Sequence, residues 1–289
     1  MLKLSKILLP VDFSEQGAAA ARYAGALTQH FRAGLTLLHV NPLIIPAIEI
    51  PREFSGPVDL GWVTALESRR RAELETFAEA EFRGVQVERV VVTGDPARKI
   101  VEYAHREESD LIVMPTHGYG PFRRFLLGSV TAKVLHDAEC PVWTGAHLQE
   151  TAHQRWSVMN HVLCAIDGGP QSETVLAWAS NFAGEFNAKM VIVLAIPQFD
   201  PSDDLFDSEG FIRGVRVAEA RIRCFLTKTG ARGDVMVEEG EPAKVISELA
   251  RRVSADLVVI GRSAAGGSGR LRANAYSIIR ESPCPVVSV

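Results

Sequence analysis

Short apolar runs recur along the chain, each followed by a longer polar stretch with helical spacing. In the first half, residues 7–11, 35–40, 85–92, 111–114 and 141–144 read as strands. Residues 14–30, 62–82, 96–107 and 129–136 read as helices. Ser14 suits an N-cap before an alanine-rich run, and Pro96 suits the first turn of a helix. The segment 41–60 contains four prolines and reads as loop, although Leu43, Ile44, Ile45, Ile48, Ile50 and Phe54 make it apolar enough to cap a pocket or to bury against the other domain. Strand and helix alternate throughout, and several strands are apolar on both faces. That pattern predicts an α/β fold with parallel, doubly wound sheets covered by helices on both sides.

The same order then repeats. Strands are predicted near 161–166, 190–196, 233–238, 256–260 and 285–289, with a long helix near 205–227 that Gly210 and Gly214 interrupt. Val92-Thr93-Gly94-Asp95-Pro96-Ala97 aligns with Glu238-Glu239-Gly240-Glu241-Pro242-Ala243 at an offset of 146. The same offset carries Ser109-Asp110-Leu111-Ile112-Val113 onto Ala255-Asp256-Leu257-Val258-Val259. Cys140-Pro141-Val142 matches Cys284-Pro285-Val286 at 144. Units this long are duplicated domains and not solenoid repeats. The boundaries fall at 1–146 and 158–289, with a polar, tryptophan-containing linker between them.

Composition narrows the function classes. The chain has 289 residues, is 47% hydrophobic and carries a formal net charge of −4. Neither half has the basic excess that draws a protein to nucleic acid or to an anionic membrane surface. The apolar runs are strand-sized and too short to cross a bilayer, and the first residues lack a full signal-peptide core. The four cysteines form no CxxC pair, and together with the eight histidines they show no zinc-site spacing. A cytoplasmic protein without a disulfide scaffold is the expectation. Cys140 and Cys284 read as packing residues at a repeated corner.

Candidate chemistry lies where strands of a parallel sheet end. Pro10-Val11-Asp12 closes the first strand. The run Met114-Pro115-Thr116-His117-Gly118-Tyr119-Gly120 follows the fourth and leads to Leu127-Gly128-Ser129-Val130-Thr131. Glycines let a loop bring backbone amides to an anion, and Ser129 and Thr131 stand at a predicted helix N-terminus, where phosphate is favoured. Asp12 suits a ribose hydroxyl, a base edge or a phosphate-bound cation. No Gly-Lys-Ser/Thr follows the glycines, and they do not follow the first strand, so neither the Walker loop nor the dinucleotide fingerprint is present. By spacing alone, structural turns account for these glycines better than a nucleotide does.

Both copies resemble the universal stress protein domain, and the whole chain apart from the linker resembles a tandem of two. Nucleotide-binding members of that family carry Gly-x2-Gly-x9-Gly-Ser/Thr after the fourth strand and an Asp at the end of the first. Here Asp12, Gly118 and Gly128-Ser129 match, while Pro115 stands at the first glycine, with no amide to offer. The resemblance implies a five-stranded parallel sheet of order 3-2-1-4-5 in each copy. It implies the Val40 backbone beside adenine, with Pro10, Val11, Met114 and Val130 around the nucleoside and Thr131 near the phosphates. It also implies pairing of the two copies through 141–144 and 285–289, and leaves open a further homodimer.

The second copy departs further. Asp167 and Gly261 are kept, but Ala264 replaces the second glycine and Asn274-Ala275 the Gly-Ser pair. Residues 265–269, with Arg262, Arg270 and Arg272 nearby, offer another route to an anion. The resemblance therefore implies a stress-response protein whose first domain binds ATP or another adenine nucleotide, with or without Mg²⁺, as a regulatory ligand for an unidentified protein partner. A nucleotide-independent scaffold or adaptor is the alternative, and a slow Mg²⁺-dependent ATPase a weaker one. His117 has no nucleophile and acid at recognisable spacing, Arg69-Arg70-Arg71 reads as a solvated helix face, and Arg123-Arg124 as steering charge.

Overall fold

Each predicted strand forms within a residue or two of its expected ends, and the repeats turn out to be capping devices. The computed structural model describes residues 2–42, 61–116, 127–145, 159–196, 208–262 and 273–289. The first half runs β1 (Lys6–Pro10), α1 (Glu15–Phe31), β2 (Gly34–Asn41), α2 (Gly61–Thr76), β3 (Val87–Thr93), α3 (Pro96–Arg106), β4 (Leu111–Pro115), α4 (Ser129–Asp137) and β5 (Val142–Gly145). The second runs β6 (His161–Ile166), α5 (Ser172–Glu185), β7 (Lys189–Ile196), α6 (Ser208–Thr229), β8 (Asp234–Glu239), α7 (Pro242–Arg252), β9 (Leu257–Ile260), α8 (Ala273–Glu281) and β10 (Val286–Ser288).

The duplicated motifs have local physical reasons. Asp110 Oδ2 accepts the amides of Ser5 and Lys6 at 2.6 and 2.9 Å. Asp256 Oδ2 does the same for Asn160 and His161 at 2.7 and 3.0 Å. Each aspartate thus satisfies the backbone where its half's first strand begins. Gly94 and Gly240 hold φ of 152° and 140°, which side chains rarely adopt, and the next residue caps a helix. Asp95 accepts from the Arg98 amide, and Glu241 from those of Ala243 and Lys244. Ser14 caps α1 as expected, its Oγ accepting the Gly17 amide at 3.0 Å.

Strand order is β3-β2-β1-β4-β5 in the first half and its mirror in the second, joined as one ten-stranded sheet. Among the described residues all ladders are parallel except the central one, where β10 runs antiparallel to β5 with Val287 opposite Trp143. Two apolar layers flank this sheet, and each includes residues of both halves. On the α1/α5 side an aromatic seam crosses the junction. Tyr23 lies 6.1 Å from Trp143, Trp143 lies 5.8 Å from Phe182, and His30 stacks on Phe186 at 4.1 Å.

Two helices depart from the sequence reading. The helix expected over 62–82 stops at Thr76, takes a left-handed step at Ala78 (φ 48°) and resumes as a 3₁₀ turn, Glu79–Phe82. That turn packs on α1 so tightly that a Cβ on Gly25 would sit 2.6 Å from the Glu81 carbonyl, and it buries Phe82. Conversely, α6 runs unbroken through Gly210 and Gly214. The helix cost of a glycine, about 1 kcal/mol, is outweighed by burial of Ile222 and Phe225 farther along the same helix.

Candidate functional site

Strand order reverses between β1 and β4, so the crevice beyond their C-terminal ends is the place where a fold of this type receives a ligand. β1 delivers Asp12 to it. The Asp12 Oδ1 accepts the Ser14 amide at 3.0 Å and the Ser14 hydroxyl at 2.6 Å, which fixes the carboxylate. Its Oδ2 has no partner among the described residues, and the residue is exposed. α1 approaches closely here, since a Cβ on Gly17 would meet Asp12 Oδ1 at 2.9 Å.

A polar pair near the end of β2 supports this strand end. His39 Nδ1 lies 2.7 Å from the Val11 carbonyl, and Nε2 lies 3.1 Å from the Asn41 side-chain oxygen. Burial holds the His39 pKa below its usual value, against the bond to Val11, which raises it; the Arg70 charge lowers it further. The ring is therefore neutral, with its proton on Nδ1 donated to Val11. Asn41 is 2% exposed, and its side-chain nitrogen has no partner among the described residues. Turning that amide over points its NH2 at the bare Nε2 and gives both groups a hydrogen bond. In the second half the matching positions are apolar. Gly94 and Gly240 bond the carbonyls of Asn41 and Ile196 alike, so Ile196 matches Asn41 and Leu194 matches His39.

β4 delivers the other wall. Met114 is buried, and the Pro115 carbonyl accepts the Thr131 hydroxyl at 3.0 Å. The Thr116 carbonyl accepts the Gly128 amide at 2.7 Å and closes the stem of the intervening loop. The ladder between β1 and β4 ends at Leu8 and Ile112, so β1 makes no demand on the amide that Pro115 lacks. α4 then starts from Gly128, which has no side chain to cap it. Among the described residues the amides of Ser129, Val130 and Thr131 find no acceptor, whereas α1 and α3 are capped by Ser14 and Asp95. Uncapped N–H groups at the positive end of a helix dipole are suited to an anion.

The expected site residues are therefore brought together unevenly. Val40, Met114 and Val130 join one apolar layer, on the side of α3 and α4. Val11 sends its side chain into the opposite layer, so only its backbone faces the crevice end. Pro10 is buried as the last residue of β1. Thr131 lies in the first turn of α4, but its hydroxyl is engaged with Pro115. Gly118 falls outside the described residues, as do His117, Arg123, Arg124, the apolar run 43–60, the linker core 146–158 and Ala264, Arg270 and Arg272. No three His, Cys, Asp or Glu side chains among the described residues are placed to hold a metal ion.

The second half is built differently at the same place. Asp167 Oδ1 accepts the Gly169 amide at 2.7 Å and the Ser172 hydroxyl at 3.4 Å. Ile166, Val175, Ile260, Gly261, Asn274 and Ala275 help enclose a cavity of about 110 Å³, below the ~300 Å³ at which ligand pockets usually begin. Arg262 is not available to an anion here. The residue is 8% exposed, and its guanidinium is spent on first-half carbonyls, 2.7 Å from Ala138 and 2.8 Å from Cys140.

Comparison with known proteins agrees with this architecture. The family model described as the universal stress protein family matches residues 3–144 and again 159–289. A universal stress protein of Methanocaldococcus jannaschii is 34% identical over 137 residues, 47% of this chain and 79% of its own. One from Mycolicibacterium smegmatis is 27% identical over 98% of this chain and 96% of its own. The crystal structure of a universal stress protein from Archaeoglobus fulgidus superposes with a TM-score of 0.73 at 24% identity, covering 99% of this chain and 98% of that one, and so shares the fold. No helix among the described residues is long and apolar enough to cross a membrane. A doubled motif set, a doubled strand order and two matches to one family model converge: the chain belongs to the universal stress protein family and carries two of its domains in tandem.

Proposed function

We propose that the first half binds an adenine nucleotide as a regulatory ligand in a cytoplasmic stress response. The observation that carries this reading is the uncapped first turn of α4, set at the strand-order switch across from the unengaged Oδ2 of Asp12. The amides of Ser129 and Val130 would receive phosphate, and Asp12 the ribose hydroxyls. Val40, Met114 and Val130 provide the apolar wall for a nucleoside. A Mg²⁺ ion carried in on ATP would be the alternative use of the Asp12 carboxylate, in place of the ribose hydroxyls. Bound nucleotide would engage the first-turn amides of α4 and change the surface offered to a protein partner.

Mass spectrometry of small molecules released by denaturing the purified chain, followed by ATP titration, tests this. One adenine nucleotide per chain is expected, since the second half lacks the Gly-Ser pair. Two per chain would overturn the assignment of the second half as degenerate. None, together with a flat ATP titration, would favour a nucleotide-independent scaffold. The observation behind that second reading is Pro115, which removes an amide the family motif supplies.

A further inference from the structure

The corner that follows the last helix of each half is satisfied in two different ways. In the second half, Ser282 does the work locally, its hydroxyl donating to the Cys284 carbonyl at 2.8 Å. The matching first-half residue is Ala138, which has no hydroxyl. The first-half corner takes its donors from the other half instead. Arg262 Nη1 donates to Ala138 at 2.7 Å, and Nη2 to Cys140 at 2.8 Å and more weakly to Glu139 at 3.5 Å. Arg262 itself is anchored, its amide bonded to the Val289 carbonyl at 3.1 Å as an extension of the β9–β10 ladder. A buried cation here lies at the negative end of α4, where it complements the helix dipole.

α4 is only nine residues long, and its two ends do different things. Its C-terminal end is the corner that Arg262 grips. Its N-terminal end holds the free amides of Ser129 and Val130. A second contact from the same half, Tyr276 to the Ala132 carbonyl at 3.4 Å, steadies the middle. A short rigid helix held at one end moves as a unit, so whatever sets Ala138 and Cys140 also sets the amides at Ser129.

We propose that Arg262 is a positioning residue for the phosphate end of the first-half site, so that the second half supplies part of that site's geometry. This rests on the nucleotide reading given above. It gives the degenerate half a role that needs no ligand of its own.

The test is calorimetric titration of the full chain with ATP, AMP and adenosine, in parallel with hydrogen exchange of the unliganded protein. Arg262→Met keeps the volume and removes all the donors. It should weaken ATP and AMP binding about tenfold, the loss of roughly one hydrogen-bond equivalent of free energy. Adenosine affinity should be unchanged, because adenosine makes no use of the α4 amides, and the Ala132 amide, which is bonded to the Gly128 carbonyl, should exchange faster. Arg262→Lys, which keeps the charge without the fork, should fold readily and show the same phosphate-selective loss at about threefold. Ser282→Ala breaks the matching corner of the second half and should leave all three affinities unchanged. Equal loss for adenosine and ATP would mean a merely structural role, and unchanged ATP affinity in both Arg262 variants would mean none; either overturns the proposal while leaving the nucleotide reading intact. A native chain that binds neither ATP nor adenosine overturns the nucleotide reading itself, and the positioning role with it.

Discussion

Phe13 holds a left-handed backbone, φ 61°, with its ring 4.6 Å from the ring of His39. In the second half the same step after the strand-end aspartate is made by Gly168, at φ 71°. Glycine takes that conformation freely, whereas a bulky side chain is strained there by about 1–2 kcal/mol. Phe77 edge-on at 5.8 Å and the Arg70 guanidinium at 5.5 Å complete a cage around the Phe13 ring. Strain of this kind persists only where the surroundings over-determine it, and what the cage fixes is the direction of Asp12.

Phe13→Gly therefore sets two effects against each other. The strain is relieved, but the half-buried ring loses its partners. Ring loss is the larger, and a net destabilisation of about 1 kcal/mol is expected in urea unfolding. Nucleotide affinity should fall as well, since Asp12 gains freedom. A stabilised variant with unaltered affinity would show that the cage has no positioning role.

His39 makes stability depend on pH. Its pKa in the folded protein lies below the ordinary 6.5, chiefly because burial disfavours the charged ring. The unfolded chain thus binds this proton more readily than the folded one. The contribution is complete above about pH 6.5 and is lost as the pH falls through the lower folded value. Urea midpoints at pH 7.5 and 5.0 measure this directly. The double variant His39→Leu with Asn41→Ile, which copies Leu194 and Ile196 of the second half, should lose part of the midpoint drop between those pH values. An unchanged drop would place the titrating group elsewhere.

What was legible in the sequence was local and repeated. Asp110 and Asp256, or Gly94 and Gly240, act on neighbours fixed by the strand–helix alternation, so duplication made them visible twice over. The candidate site was legible only as a motif: Asp12 and Gly128-Ser129 could be placed, but the engaged hydroxyl of Thr131 could not. Arg262 stood in the sequence only as a charge near the 265–269 loop, because its partners lie more than a hundred residues away in the other half, and no periodicity records such a contact. The pair His39–Asn41 was hidden for a related reason. Polar residues inside an apolar strand look alike whether they are tolerated or bonded, until the neighbouring strand end is in place.

The repeated corner cysteines should be chemically silent. Burial pushes the Cys140 thiol up to about 11, against a lowering by the Arg262 charge, and burial pushes Cys284 up to about 12. Cys164 is fully buried and shifted in the same direction. Cys224 alone is exposed among the four. The thiolate is the reactive form, so iodoacetamide at pH 8 should label Cys224 in the folded chain and all four cysteines only in denaturant. Rapid labelling of Cys140 in the native state would contradict the packing described at the Arg262 corner.

Trp143 decides whether the two halves unfold separately. It lies on β5 opposite Val287 of β10, is 1% exposed, and touches Tyr23 of one half and Phe182 of the other. Both apolar layers continue across this junction, so neither half has a core it can keep when the other is lost. Unfolding should therefore be a single transition, with near-ultraviolet and far-ultraviolet circular dichroism tracing the same curve. Trp143→Ala leaves a cavity between β5, α1 and α5 and should cost about 3–5 kcal/mol. If the junction is what joins the halves, that variant should also split the transition into two. A single transition in the native chain that stays single in the variant would place the coupling in the Arg262 contact and the other layer instead.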